Sequence, residues 1–244
     1  MPVAPRPAAR REWRLLDLAL GALLLLSGVA VVLAISFGLA RAGLSARRDS
    51  NAALLFALVT LAFEAWAGGA VLLVARRRGL GWRDLGFTFP ASWWAYVILA
   101  LAGAYATQIA YVVVMWAIEQ LSGVDVSRFT AGNRLPEELR GSPAVWAILG
   151  LSVIVAAPLG EELFFRGLVF RALDVSLPVW LAFLGSGVAF ALMHFNIAVV
   201  VPFTVIGMIF AWAYRASGSL WTTVAAHAIF NTVSFVVTVL RLAP

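Results

Sequence analysis

Seven apolar runs constrain this chain more than any other feature of its sequence. They cover residues 18–40, 52–75, 93–118, 144–172, 178–195, 199–214 and 219–240. A helix needs about 20 apolar residues to cross a bilayer. Backbone in lipid must pair its polar groups internally, and these runs are too long for barrel strands. The sequence therefore predicts an all-α fold, a polytopic transmembrane helical bundle with about seven spanning helices.

The charges agree with a membrane protein. Only 12% of the residues are charged, against about 25% in soluble domains. The basic residues are all arginine, and apart from Arg166 and Arg171 they lie outside the apolar runs, which favours anchoring at phospholipid head groups over binding of nucleic acid. We therefore expect a multi-pass protein of a bacterial plasma membrane, with the lipid bilayer as its partner. The arginine bias predicts a cytoplasmic amino terminus.

The sequence divides into three parts. Residues 1–17 are rich in arginine and proline and predict a flexible segment. Residues 18–143 hold the first three runs and their loops, including a polar stretch at 119–143. Residues 144–244 hold the other four runs and the polar groups that point to chemistry.

Two adjacent glutamates and an arginine lie inside the fourth run. An ionisable residue in a spanning helix costs roughly 2.5–3.5 kcal/mol on insertion scales, and by default it indicates a functional site. Glu162 and Arg166 are four residues apart, so we expect an ion pair on one helix face. Glu161 lies about 100° further round the helix and can face other helices. Pro158 removes a helix hydrogen bond and predicts a kink with room for water.

The chain has two histidines, and both lie in apolar runs. His194 follows Phe190 by four residues, and His227 precedes Asn231 by four. Residues four apart share a helix face, so His227 and Asn231 should point into the bundle together. The same polar stripe continues through Thr223, Ser234 and Thr238.

These groups allow two kinds of hydrolytic centre. In the first, Glu161 deprotonates a water molecule, while His194, His227 and Asn231 donate to the oxyanion. In the second, Glu161, His194 and His227 bind a zinc ion whose water attacks the carbonyl. The residue types alone leave both open.

Three motifs resemble those of the CPBP family of intramembrane proteases, also called the CAAX protease and bacteriocin-processing or Abi family. The family pattern is Glu-Glu-x-x-x-Arg, then Phe-x-x-x-His, then His-x-x-x-Asn, on separate helices. This chain reads E-E-L-F-F-R from Glu161 to Arg166, F-A-L-M-H from Phe190 to His194, and H-A-I-F-N from His227 to Asn231. The resemblance covers roughly residues 144–237.

The resemblance implies an intramembrane endopeptidase that acts on membrane-associated proteins or peptides, with its catalytic core at residues 144–244. It carries the catalytic role onto Glu161, Glu162, Arg166, His194, His227 and Asn231. Eukaryotic relatives trim prenylated proteins, a substrate that bacteria generally lack, so the substrate is not implied.

Other interpretations compete with this one. Glu162 and Arg166 can be structural, and membrane histidines often only join helices. The chain can then be a non-catalytic scaffold or a bacteriocin-immunity protein. A proton-coupled transporter can use the same groups as a relay. We expect Glu64, Gln108 and Tyr111, in the second and third runs, to serve packing or a substrate channel.

Overall fold

A computed structural model describes residues 13–44, 50–131 and 142–242. The helices are α1 (Leu15–Arg41), α2 (Ser50–Arg78), α3 (Trp93–Ser122), α4 (Ser127–Thr130), α5 (Pro143–Ser176), α6 (Val179–Leu192), α7 (Ile197–Ser217) and α8 (Leu220–Leu242). Helix α5 is continuous but contains two π-helical segments, Ser152–Ala156 and Leu163–Phe170. No strand occurs in these described ranges, which confirms the all-α prediction.

Six helices are long and apolar enough to cross a membrane, namely α1, α2, α3, α5, α7 and α8. The remaining apolar helix, α6, has 14 residues. At about 1.5 Å per residue it covers roughly 21 Å, less than the ~30 Å hydrocarbon core. The predicted multi-pass helical bundle is confirmed, with six long helices and one short helix in place of seven similar ones.

Contacts between loops show which helix ends lie together. Thr88, after α2, donates a hydrogen bond to the carbonyl of Gly218, between α7 and α8, at 3.0 Å. At the opposite end Asn196, between α6 and α7, donates to the carbonyl of Ala131 at 3.1 Å. Three arginines lie at the end of the bundle that contains Gly218. Arg83, Arg171 and Arg215 line one pocket beside Gly218.

Residues 13–17 of the predicted flexible segment belong to the described structure. Trp13 is buried, and α1 starts at Leu15. Asp17 forms an ion pair with Arg78, with 2.7 Å between Oδ1 and Nε. This pair joins the start of α1 to the end of α2. The rest of the predicted flexible segment, residues 1–12, lies outside the described residues, as do residues 45–49 and 132–141 of the predicted loops.

Helix α5 lies at the centre of the main core. The whole segment Leu163–Phe170 is buried, including Arg166, and packs against residues of α1, α2, α6 and α8. Two close helix crossings depend on glycine. A Cβ atom on Gly160 of α5 would collide with the carbonyl oxygen of Glu64 on α2, and one on Gly207 of α7 would lie 2.8 Å from the Cα of Gly187 on α6. These crossings bring α2, α6 and α7 directly against the polar residues of α5.

Candidate active site

Glu162, Arg166 and His227 form a hydrogen-bonded network inside the bundle. Arg166 Nη1 donates to Glu162 Oε1 at 2.8 Å, and both side chains are 0% exposed. His227 Nδ1 approaches the same oxygen from α8 at 2.9 Å. An ionised carboxylate only accepts hydrogen bonds, so Nδ1 carries the proton and Nε2 is left for another partner. The ion pair expected from the four-residue spacing is therefore present, and it also joins α5 to α8.

Arg166 is held by three further groups. Its guanidinium carbon lies 4.8 Å from the ring centroid of Phe190 and 5.3 Å from that of Phe210. Nη2 donates to the carbonyl of Gly207 at 3.3 Å. A buried cation is costly unless it is paired and hydrogen-bonded. The close contact of Gly207 with Gly187 brings α7 against α6. In this position the Gly207 carbonyl lies within hydrogen-bond distance of Arg166.

Asn231 compensates for the missing donor of Pro158. The N–H of Ala157 bonds to the carbonyl of Ser152, five residues earlier, as in a π-helix. The next donor in that register would be residue 158, bonding to Val153, but proline has no N–H. Asn231 Nδ2 donates to the Val153 carbonyl at 2.9 Å instead. Asn231 therefore holds α8 to the segment of α5 that leads into the glutamates.

The polar stripe on α8 faces the bundle only in its first half. Thr223 and His227 are buried, and Asn231 is half-buried. Ser234 is exposed, and its hydroxyl donates to the carbonyl of Phe230 in its own helix at 3.1 Å. The predicted stripe is thus wrong at Ser234, where an exposed serine satisfies its hydroxyl within the helix.

His194 lies in a turn and not at the end of a helix as predicted, because α6 stops at Leu192. The following residue, Phe195, has φ 48° and is the one non-glycine residue with positive φ in the described part of the chain. Such a left-handed conformation is strained for a bulky residue. His194 Nδ1 donates to the carbonyl of Phe190 at 3.0 Å, and its ring packs on Phe203 at 4.6 Å. These contacts orient the ring and leave its Nε2 atom available for another partner.

A cavity of about 160 Å³ joins residues from four parts of the fold. Its polar side chains are Glu161 of α5, Glu64 of α2 and His194 of the α6–α7 turn. The remaining lining residues are Leu25, Phe63, Ala67, Phe164, Phe165 and Met193. A water molecule occupies about 30 Å³ in the liquid, so the cavity is large enough for water and for part of a ligand.

Buried carboxylate oxygens remain without hydrogen bonds at this point. The Oε2 atoms of Glu64 and Glu161 are buried and have no hydrogen-bond partner within the described residues. Most buried polar atoms in proteins are paired, and each exception calls for an explanation. Glu64 and Glu161 are also close enough to interact electrostatically. Two carboxyl oxygens without hydrogen bonds therefore lie at one cavity.

Five of the six predicted catalytic residues thus separate into two neighbouring groups. Glu161 and His194 line the cavity, whereas Glu162, Arg166 and His227 form the buried network. Phe190 connects the two groups, because its ring lies 5.0 Å from that of His194 and 5.8 Å from that of His227. Asn231 lies one helical turn beyond His227 and supports the backbone of α5.

The arrangement does not match the zinc ligands that the sequence suggested. Among the described residues, no three His, Asp or Glu side chains are grouped closely enough to hold a metal ion. Glu161 and His194 share the cavity, but Nδ1 of His227 is bonded to Glu162. Zinc binding by Glu161, His194 and His227 stays a prediction.

Two contributions were not assigned from the sequence. Glu64 was expected to serve packing or a substrate channel, yet it shares the cavity of Glu161. Its position in a spanning helix was a signal that could have found it, since ionisable residues there are functional by default. The carbonyl of Gly207 had no such signal, because a backbone acceptor looks the same in every sequence.

The fold and the site together define a class. The chain is a multi-pass helical membrane protein with buried glutamates, histidines and an asparagine drawn from α5, the α6–α7 turn and α8. Residues 143–233 match the sequence model of the family described as "Type II CAAX prenyl endopeptidase Rce1-like". That range contains all three motifs.

A curated relative agrees with this family. The chain is 28% identical over 134 residues to a Bacillus subtilis (strain 168) protein named "Putative membrane peptidase YdiL". The alignment covers 49% of this chain and 54% of the relative, so the chain spans about half the length of the curated protein that it matches. No solved structure gave a significant match. Together, the motifs and both matches support a relationship to the CPBP family.

Proposed function

We propose that this protein is an intramembrane endopeptidase that hydrolyses peptide bonds of membrane-associated proteins or peptides. The observation that carries the proposal is the cavity that holds Glu161 and His194 next to the Glu162–Arg166–His227 network. The name of the family and that of the Bacillus relative both describe peptidases, which supports the same reaction.

In the proposed mechanism Glu161 is the general base. Its carboxylate takes a proton from a water molecule in the cavity, and the hydroxide oxygen bonds to the scissile carbonyl carbon. The carbonyl oxygen becomes an oxyanion. As the carbon–nitrogen bond breaks, the proton held by Glu161 passes to the leaving amine, so the products are a carboxylic acid and an amine.

The histidines have a defined protonation pattern in this mechanism. Nδ1 of His194 donates to a carbonyl, and Nδ1 of His227 donates to Glu162. Each neutral ring then has only a lone pair at Nε2, so Nε2 must gain a proton before it can donate to an oxyanion. The Glu162 carboxylate fixes the orientation of the His227 ring through its bond with Nδ1. Glu162 therefore acts through His227, whereas Glu161 acts on water.

Asn231 has a supporting part in this proposal. Its Nδ2 is occupied by the Val153 carbonyl, so its amide positions α5 and does not donate to the oxyanion in this arrangement. The free Oε2 atom of Glu161 also favours catalysis over a scaffold, because a scaffold has no use for an unpaired buried carboxylate.

The test begins with the unknown substrate. Cells that lack the protein are complemented with the wild type or with Glu161→Ala, and their membrane peptides are compared by mass spectrometry. Peptides cut only with the wild type are then made as internally quenched substrates for purified protein in lipid nanodiscs. A quenched farnesylated peptide with a carboxy-terminal CAAX sequence is tested beside them.

The expected result is cleavage by the wild type and none by Glu161→Ala or His227→Ala, although both variants are inserted and folded. Folding is checked by the melting temperature in detergent. Cleavage at the wild-type rate by the Glu161→Ala variant would show that this glutamate is not the base. A wild type that cuts no cellular or synthetic peptide would contradict the endopeptidase.

A further inference from the structure

Glu64 is an ionisable residue in the middle of a membrane helix to which the proposed mechanism assigns no function. It lies in the middle of α2, outside the family match at residues 143–233. It lines the same 160 Å³ cavity as Glu161 and His194. A carboxyl group in a spanning helix is costly and calls for a partner.

The packing of α2 places Glu64 there firmly. Gly160, directly before Glu161, lies so close to the backbone carbonyl of Glu64 that a Cβ atom would not fit. One turn further along α2, Gly68 also approaches the Cα of Gly160, at 3.4 Å from an added Cβ. The two glutamates are therefore carried by backbones that touch, and neither helix can shift without separating them.

The carboxyl groups of Glu64 and Glu161 both need a donor. The Oε2 atom of each is buried without a hydrogen-bond partner. No basic residue lines their cavity, whose other polar side chain is His194. Glu162, by contrast, already has Arg166 and His227 on its Oε1 atom. A water molecule with two O–H groups is the donor that suits two carboxyl groups that line one cavity.

We propose that Glu64 is a second carboxyl of the hydrolytic centre and holds the attacking water together with Glu161. This inference rests on the proposed function. One O–H of the water donates to Glu64, and the other donates to Glu161 and is the proton that Glu161 takes. The oxygen lone pair is thereby aimed at the carbonyl carbon. A carboxyl group accepts this hydrogen bond whether or not it is itself protonated.

The inference is tested with Glu64→Gln, which keeps the size of the side chain but replaces one carboxyl oxygen by an N–H₂ donor. Kinetics are measured on the quenched peptide that the wild type cleaves. We expect kcat to fall about 10- to 100-fold, since a misplaced reacting group costs about that much, while KM stays within about twofold. Thr60→Val is the matched control on α2, because Thr60 bonds only to the carbonyl of Phe56 in its own helix.

A structural role of Glu64 predicts a different result. The fraction of folded protein and the melting temperature would then fall, and the kcat of the folded fraction would equal that of the wild type. If Glu64→Gln does not fold, Glu64→Asp takes its place, because it keeps the carboxylate but withdraws it by one methylene. The same loss of kcat is expected. Wild-type kcat in a folded Glu64→Gln variant, or in Glu64→Asp, would overturn the inference.

Glu161→Gln is measured in parallel, so that the role of Glu64 and the proposed function are tested separately. An inactive Glu161→Gln beside a fully active Glu64→Gln contradicts only the role of Glu64. A fully active Glu161→Gln contradicts the proposed function itself.

Discussion

The two glutamates of the motif are neighbours in sequence but lie in opposite surroundings. Glu162 is completely buried, and its Oε1 atom accepts from Arg166 at 2.8 Å and from His227 at 2.9 Å. Glu161 faces a cavity that it shares with Glu64 and His194, and its Oε2 atom has no partner. A step of about 100° around one helix produces this difference.

The comparison teaches how one motif can supply both rigidity and reactivity. In the network around Glu162 the opposite charges are paired with each other. The network therefore holds α5, α7 and α8 together and leaves few polar atoms free to bind a substrate. The cavity beside Glu161 contains carboxyl groups that nothing in the described chain satisfies. Substitutions in the cavity should therefore change activity, and substitutions in the network should change stability as well.

The largest effect is expected in the cavity. Glu161→Gln removes the general base, which contributes typically about 10²- to 10⁴-fold. We expect kcat to fall by about 10²- to 10⁴-fold, with the melting temperature in detergent unchanged, because Glu161 has no hydrogen bond on Oε2 to lose. Peptide cleavage and thermal unfolding measure the two quantities. A large loss of stability would show that Glu161, like Glu162, stabilises the fold.

The network should respond in the opposite way. Arg166→Gln leaves the buried Glu162 carboxylate without its cation, and breaking a buried pair costs about 3–5 kcal/mol. Arg215→Gln is the matched control, since Arg215 pairs with Asp174 at 3.3 Å on the exposed surface. An exposed pair contributes about 0–1 kcal/mol. Unfolding with a denaturing detergent measures both, and equal losses would show that burial of Arg166 carries no special cost.

Glu162→Gln extends this prediction to activity. It weakens the bonds to Arg166 and His227, so we expect it to be nearly as harmful to cleavage as loss of Glu161 and also to lower the melting temperature. A stable variant with full activity would show that the ion pair is incidental to the site.

The helix crossing that carries the cavity should be sensitive to a single methyl group. Gly160→Ala pushes against the backbone carbonyl of Glu64, and overpacking typically costs about 1–3 kcal/mol. The same change at Gly69 meets nothing within 4 Å and should be neutral or slightly stabilising. Melting temperatures of the two variants give the comparison. A neutral Gly160→Ala would mean that α2 can move away without penalty.

The smallest effect is expected from metal removal. The described histidines and acidic residues do not form a three-ligand site, and the proposed base is Glu161 itself. Treatment of the purified protein with a strong chelator should therefore leave cleavage unchanged, and added zinc should not increase it. Loss of activity that zinc restores would favour the metal-bound water that the sequence also allowed.

The sequence predicted the helical architecture well because bilayer-spanning runs need no tertiary information. It missed at α6, which ends at Leu192, so His194 lies in a strained turn before Phe195. A short apolar run does not reveal where its helix stops, since leucine, methionine and phenylalanine suit a helix and a buried turn alike. The spacing of Glu162 and Arg166 did predict their ion pair, because both lie on one helix face.

The sequence and the tertiary structure determined different features of this protein, for a physical reason. The sequence by itself determined the membrane helices and the candidate residues, since apolar length and the cost of an ionisable group in lipid are local properties. Only the tertiary structure decided which glutamate is paired and which faces the cavity. That choice depends on the close crossings at Gly160 and Gly207, which set the helices that surround each carboxylate.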